Sequence, residues 1–164
     1  MCIRDRGNRS IIARADSKII AQRVSMDYKG REWFRPIAPV MLERNSKRVT
    51  GLSSIHHLSE YMLLDFPILP AYKVQLEGVC HTNGTARIQT LLHRTTNPFL
   101  YDLLDYLDKE HQQIGLINTS FNQRGMPIVQ TPADAQKTAK VMQLAGLIIN
   151  GKLAKYELER YTVE

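Results

Sequence analysis

Apolar positions along the chain follow two rhythms. Leu100, Leu103, Leu104 and Leu107 recur at i, i+3, i+4 and i+7, the stripe of a helix that buries one face. Asn97 stands where a cap belongs and Pro98 suits the first helical position, so the spacing predicts a helix over 98–112. A second helix starts at Thr131, with Asp134 at the reciprocal capping position. Ala135, Ala139 and Met142 share its face, and Gly146 is expected to stop it. A shorter helix is predicted over 16–25, capped by Asp16, with Ile20 and Val24 four apart.

The other rhythm is strand-like. Short apolar runs at 37–42, 61–68, 115–121 and 147–150 read as buried strands, the second closed by Pro67 and Pro70. Residues 78–92 read as a hairpin around Asn83-Gly84, a pair that suits a type I′ turn. Within it Ala86 and Ile88 alternate with Arg87 and Gln89, which puts Arg87 on the face opposite the apolar pair. No internal repeat is visible. Helices alternating with strands in 164 residues predict one domain of mixed α/β (α+β) class.

Composition narrows the function classes. A hydrophobic fraction of 43% and a charged fraction of 23% are those of an ordinary globular protein. No apolar run approaches the ~20 residues of a membrane span, so a cytoplasmic protein with no membrane partner is expected. The net charge of +6 favours anionic partners, although an excess spread evenly along a chain only solvates its surface. Cys2 and Cys80 lack metal-site spacing and suggest reduced thiols. Residues 1–6 (MCIRDR) carry three charges and no signal-peptide pattern. They read as a translated sequencing adapter, so residues 7–164 are taken as the domain and the protein is expected to extend upstream.

Three segments carry candidate chemistry. Residues 29–36 (KGREWFRP) set Lys29, Arg31 and Arg35 around an aromatic pair. Such a cluster can hold phosphate oxygens, and it can equally be a surface loop whose aromatics anchor it. In 83–87 (NGTAR) Arg87 follows a tight turn, which local pattern alone reads as a solvated hairpin. Residues 118–125 (NTSFNQRG) end a strand in short hydroxyl and amide side chains and then add Arg124. A purely structural turn does not need that charge, so this is the best local signal for a ligand site. The five histidines form no metal motif, and His81 is isolated. No nucleotide-binding glycine loop, nucleophile elbow or paired carboxylates appear. Scattered cations, strand-end polar groups and no evident nucleophile fit the neutralising of a polyphosphate better than hydrolysis.

Read together, GNRSI at 7–11, KGREWFRPIAP at 29–39, VCHTNGTARIQ at 79–89 and NTSFNQRGMP at 118–127 resemble the C-terminal domain of the NodU/CmcH carbamoyltransferase family, in the right order over nearly the whole chain. The resemblance implies a YrdC-like fold, a twisted mixed sheet flanked by helices. It implies that this domain binds carbamoyl phosphate and ATP, with Mg²⁺, and makes carbamoyl adenylate. A Kae1-like N-terminal domain holding iron, absent from this chain, would then pass the carbamoyl group to a hydroxyl acceptor, a sugar or natural product. By the same resemblance Lys29, Arg35, Arg87 and Arg124 would bind the phosphates in one pocket. Ser120 and Asn122 would form a Ser-x-Asn element, with Asn118, Thr119 and His81 beside them. Arg124→Ala is then expected to abolish pyrophosphate formation. The chain departs from the family pattern at Asn83 and Met126, where acidic residues are usual, and residues 1–6 stand where a Gly-Pro-Arg-Ala-Leu stretch belongs. Arg4 therefore acquires no role, and the isolated chain is expected to be partly or wholly inactive. The competing expectations are an RNA- or nucleotide-binding module without carbamoyl transfer, disfavoured by the lack of an aromatic platform, and a non-catalytic docking domain.

Overall fold

The computed structural model describes residues 7–32 and 34–156. Residues 1–6, read as an adapter, and Trp33 of the cationic segment lie outside the described residues.

In chain order the elements are β1 (Ser10–Arg14), α1 (Lys18–Gln22), β2 (Pro39–Leu42), α2 (Glu43–Thr50), β3 (Phe66–Pro67) and β4 (Thr85–Ala86). Then follow β5 (Gln89–Leu91), α3 (Pro98–His111), β6 (Leu116–Ser120), α4 (Pro132–Val141), β7 (Gly146–Ile149) and β8 (Lys152–Lys155). α1 runs directly into a π-helical stretch, Arg23–Tyr28. Four strands form the central sheet in the order β1-β6-β2-β5, with β3-β4 and β7-β8 as separate ribbons. β6 is antiparallel to both its neighbours, and β2 and β5 are parallel. The molecule is a mixed α/β fold, as the alternation of rhythms predicts.

Local chemistry explains the two long helices. The Asn97 side chain accepts from Leu100 N at 2.9 Å and opens α3. Thr131 and Asp134 exchange side chain-to-backbone bonds at 3.1 Å each, a complete capping box for α4. Two caps differ from expectation. Ser17, rather than Asp16, caps α1, because the Asp16 carboxylate is taken by Arg14 at 2.7 and 3.0 Å. Gly146 does not stop α4; the helix has ended at Val141, and Gly146 opens β7, where a Cβ would stand 3.0 Å from Ala154 O.

The expected hairpin over 78–92 is replaced by longer-range pairing. A tight turn forms, but not the expected type I′: Gly84 N donates to His81 O at 2.9 Å, which makes Thr82 and Asn83 the central pair, and Gly84 at φ +79° is left-handed whereas Asn83 is not. Beyond the bond from His81 N to Thr85 O at 2.7 Å, its arms pair elsewhere. Gly78 N donates to Ala15 O, so the first arm is drawn against α1. β4 pairs with β3 and β5 with β2. The apolar run 61–68 supplies only the short β3.

Two apolar clusters hold the sheet. Val40, Leu42, Leu91 and Leu116 meet Leu100 and Leu104 of α3. A larger cluster joins Ile11, Met41, Ile117 and Phe121 to Val24, Ile88 and the Ala135 and Ala139 face of α4. Among the described residues no helix is long and apolar enough to cross a membrane.

Candidate functional site

Strand register brings four chain segments to one end of the sheet. Ser10 pairs with Ser120, Pro39 with Ile117 and Val40 with Gln89. The starts of β1, β2 and β5 therefore surround the carboxyl end of β6. A cleft of about 200 Å³ opens there, with Ser10, Arg31, Arg87, Asn118, Thr119 and Ser120 as its polar lining. Ile37, Met62 and Ile128 supply apolar wall.

The π-helical stretch delivers the cations. It ends at Tyr28 with Lys29 as its C-cap, and Gly30 at φ +54° turns the chain sharply, a conformation that favours glycine. The turn is held by Gly30 N on Met26 O at 2.8 Å and Arg31 N on Ser25 O at 3.0 Å. Lys29 goes inward and is only 5% exposed. Its ammonium donates to Ser120 O at 2.8 Å, Ser120 Oγ at 3.2 Å, and Asn122 O and Oδ1 at 2.6 Å each. Burial, with the Arg31 charge behind it, pulls the Lys29 pKa down to about 8. Arg31 goes to the cleft, where its guanidinium donates to Thr119 Oγ1 at 3.2 Å.

Asn122 is stapled into its own loop. Its Oδ1 accepts from Ser120 Oγ at 2.7 Å, and its Nδ2 donates to Gln123 O and Met126 O at 3.0 and 2.7 Å. Lys29, Ser120 and Asn122 thus form one clamp that fixes the strand-end loop beside the cleft.

Arg87 enters from the stretch before β5. Its Nε is buried and has no hydrogen-bond partner among the described residues. His81 is bonded through Nδ1 to Thr85 Oγ1 at 3.1 Å and does not line the cleft. Burial, helped by the Arg87 charge, outweighs Asp65 at 4.0 Å and holds the His81 pKa below the ordinary imidazole range.

The four cations expected in one pocket are divided. Arg87 lines the cleft and Lys29 lies beneath the loop that borders it. Arg35 and Arg124 stand outside on an exposed rim, both paired to Glu32, at 2.9 and 3.7 Å. Arg124 also donates to Gly30 O at 2.8 Å, joining the two loops. Arg31, to which the resemblance gave no role, lines the cleft, and Arg35 does not. The signal for it is Gly30: a left-handed residue between the two cations sends Lys29 and Arg31 to different places. Ser10 and Met62 were also missed. Ser10 reaches the cleft only through its pairing with Ser120, which no local pattern announces.

The polar lining comprises two guanidiniums, three hydroxyls and one amide, with no carboxylate. That donor set fits an anion and does not fit a bare divalent cation. Among the described residues no cluster of three His, Cys, Asp or Glu side chains could hold a metal.

Residues 2–155 match the family model described as Carbamoyltransferase C-terminus. The chain is 34% identical to nodulation protein NolO of Bradyrhizobium diazoefficiens over 149 residues, 91% of this chain and 27% of that protein. It is 33% identical to nodulation protein NolNO of Sinorhizobium fredii, over 91% of this chain and 22% of that protein. Nodulation protein U of Azorhizobium caulinodans is 30% identical over 82% of this chain and 24% of its own length. The chain thus spans about a quarter of the length of these relatives.

Proposed function

The chain belongs to the carbamoyltransferase C-terminus family, and on that premise we propose that its sheet-end cleft binds carbamoyl phosphate and activates the carbamoyl group for transfer to a hydroxyl. The observation that carries the reading is the pair Arg31 and Arg87 on one cleft, with the Arg87 Nε buried and unpartnered among the described residues. A buried guanidinium donor without an acceptor is costly to leave so, and an anionic oxygen repays it.

The size of the cleft divides the substrates. About 200 Å³ is below the ~300–1,000 Å³ of pockets that enclose a drug-sized ligand. An acyl phosphate fits inside; the rest of ATP would lie along the rim of Arg35 and Arg124, whose exposed guanidiniums suit outer phosphates. Mg²⁺ would arrive on the nucleotide and supply charge neutralisation there. The chemistry needs alignment and charge more than proton abstraction. Water cleaves carbamoyl phosphate to carbamate and phosphate. A carbamate oxygen then attacks the α-phosphorus of ATP, the bond to the β-phosphate oxygen breaks, and carbamoyl adenylate and pyrophosphate result. Attack by the acceptor hydroxyl releases AMP and a proton and leaves the carbamoyl ester. Arg31 and Arg87 would hold charge as it moves to the departing oxygens. In this reading a YrdC-like arrangement handles activation, and transfer belongs to an upstream, iron-holding domain.

The test uses a full-length protein carrying this C-terminal chain, supplied with ATP, Mg²⁺ and carbamoyl phosphate. Pyrophosphate release should fall by ~10²–10³ in Arg87→Ala. A smaller loss is expected in Arg124→Ala, which removes a rim contact. Unchanged pyrophosphate release in Arg87→Ala would end the reading.

A further inference from the structure

Asn118 presents a different kind of group to the same cleft. It is 3% exposed, lies on β6 among the lining residues, and its Oδ1 is buried without a partner among the described residues. The direction of its amide follows from a chain of hydrogen bonds. Glu60 O is a backbone carbonyl and can only accept. It takes a bond from Gln89 Nε2 at 3.2 Å. Gln89 Oε1 must therefore face the other way, and it accepts from Asn118 Nδ2 at 2.6 Å. The carbonyl oxygen of Asn118 is left over, pointing away from Gln89 with nothing to accept. A fixed backbone atom thus determines, two side chains away, that an acceptor and not a donor lies just behind the cleft lining here.

We propose that Asn118 is a specificity-determining residue that selects an acyl phosphate bearing an N–H on its acyl carbon. This rests on the reading of the cleft as an acyl-phosphate site. Around Asn118 the polar lining is otherwise cationic or hydroxylic, which suits the phosphate end. An amide oxygen held as an acceptor suits the amino end of a carbamoyl group and offers nothing to a methyl. Met62 supplies an adaptable side chain to the wall. It lines the cleft, is unbranched, and directly follows the turn His57–Tyr61 that carries the Glu60 carbonyl. A ligand that reaches the Asn118 oxygen, shut off from bulk water, makes a bond that is most costly to leave unmade.

Acetyl phosphate is the discriminating probe, since it replaces the amino group by a methyl of similar size and keeps the phosphate. Calorimetric titration of the full chain should give carbamoyl phosphate ~10- to 100-fold tighter than acetyl phosphate. Asn118→Leu keeps the bulk and removes the acceptor; it should bring the two ligands within a few fold of each other. Gln89→Met leaves Asn118 in place and frees its amide to rotate. It should narrow the preference while inorganic phosphate binds as before. Equal binding of both acyl phosphates by the unsubstituted chain would overturn the role of Asn118 and leave the acyl-phosphate site standing. Binding of neither would remove the site itself, and this inference with it.

Discussion

Lys29 meets two opposing demands. Four oxygen atoms within 3.2 Å favour its charged form, and burial disfavours it. Burial is the larger influence, and the pKa falls to about 8. Below that value the side chain is an ammonium with three donors for its loop. As pH rises through it, one donor and the charge are lost together. Anion affinity at the cleft should therefore drop between pH 7 and 9, with sulfate, which does not titrate there, as the probe. Lys29→Met should bind more weakly and show a flat profile over that range. A flat profile in the unsubstituted chain would contradict this. Stability has its own sign. Between about 8 and the ordinary lysine value of ~10.4 the unfolded chain holds more protons at this residue than the folded one. The contribution of Lys29 to stability therefore rises with pH across that window. Below it, both states carry the charge and the penalty of burying it is complete.

At the level of elements, what could be read in advance is what is settled locally. α3 and α4 were legible because Asn97, Pro98 and the Thr131–Asp134 pair act within one turn of the chain. β6 was legible as an apolar run ending in polar residues. α2 was not foreseen, because it buries Asn45, Ser46 and Thr50 along with Val49 and has no apolar stripe. Two of its buried polar side chains reach partners distant in sequence: Ser46 meets Thr90 at 3.0 Å and Asn45 Nδ2 donates to Ile114 O at 3.3 Å, while Thr50 bonds back to Ser46 O within the helix. The 78–92 hairpin failed for the same reason. Its turn is local and formed; its strand partners are not local. Gly78 marks the competing contact, since a Cβ there would lie 2.6 Å from Ser17 O and 2.9 Å from Ala15 O, both backbone. Gly78→Ala should cost ~1–3 kcal/mol, read as a lower urea midpoint with an unchanged slope. An unchanged midpoint would show that this approach is not tight.

Across the whole molecule, the site is a consequence of topology. Two antiparallel pairings and one parallel pairing put the starts of three strands around the end of a fourth, and three of these segments bring polar groups to the cleft. Ser10 comes with β1, Arg87 with the approach to β5, and Asn118, Thr119 and Ser120 with β6. The loop after the π-helical stretch closes over that end and adds Arg31. This loop, the Arg87 segment and the β6 end, all singled out by sequence pattern or resemblance, meet at one cleft. The sequence reading could not assign cations to the cleft or the rim, because that division depends on the left-handed turn at Gly30 and on the Glu32 carboxylate that holds Arg35 and Arg124 outside. The division leaves a small inner cleft lined by Arg31 and Arg87 and an exposed rim carrying Arg35 and Arg124, the arrangement on which the proposed function rests.

The central claim is that Arg31 and Arg87 form the anion seat. A crystal structure of the chain with carbamoyl phosphate tests it most directly. The account predicts the phosphate between those two guanidiniums, with the Thr119 and Ser120 hydroxyls alongside. Phosphate density at the Arg35 and Arg124 rim, with the cleft closed and unchanged, would contradict it.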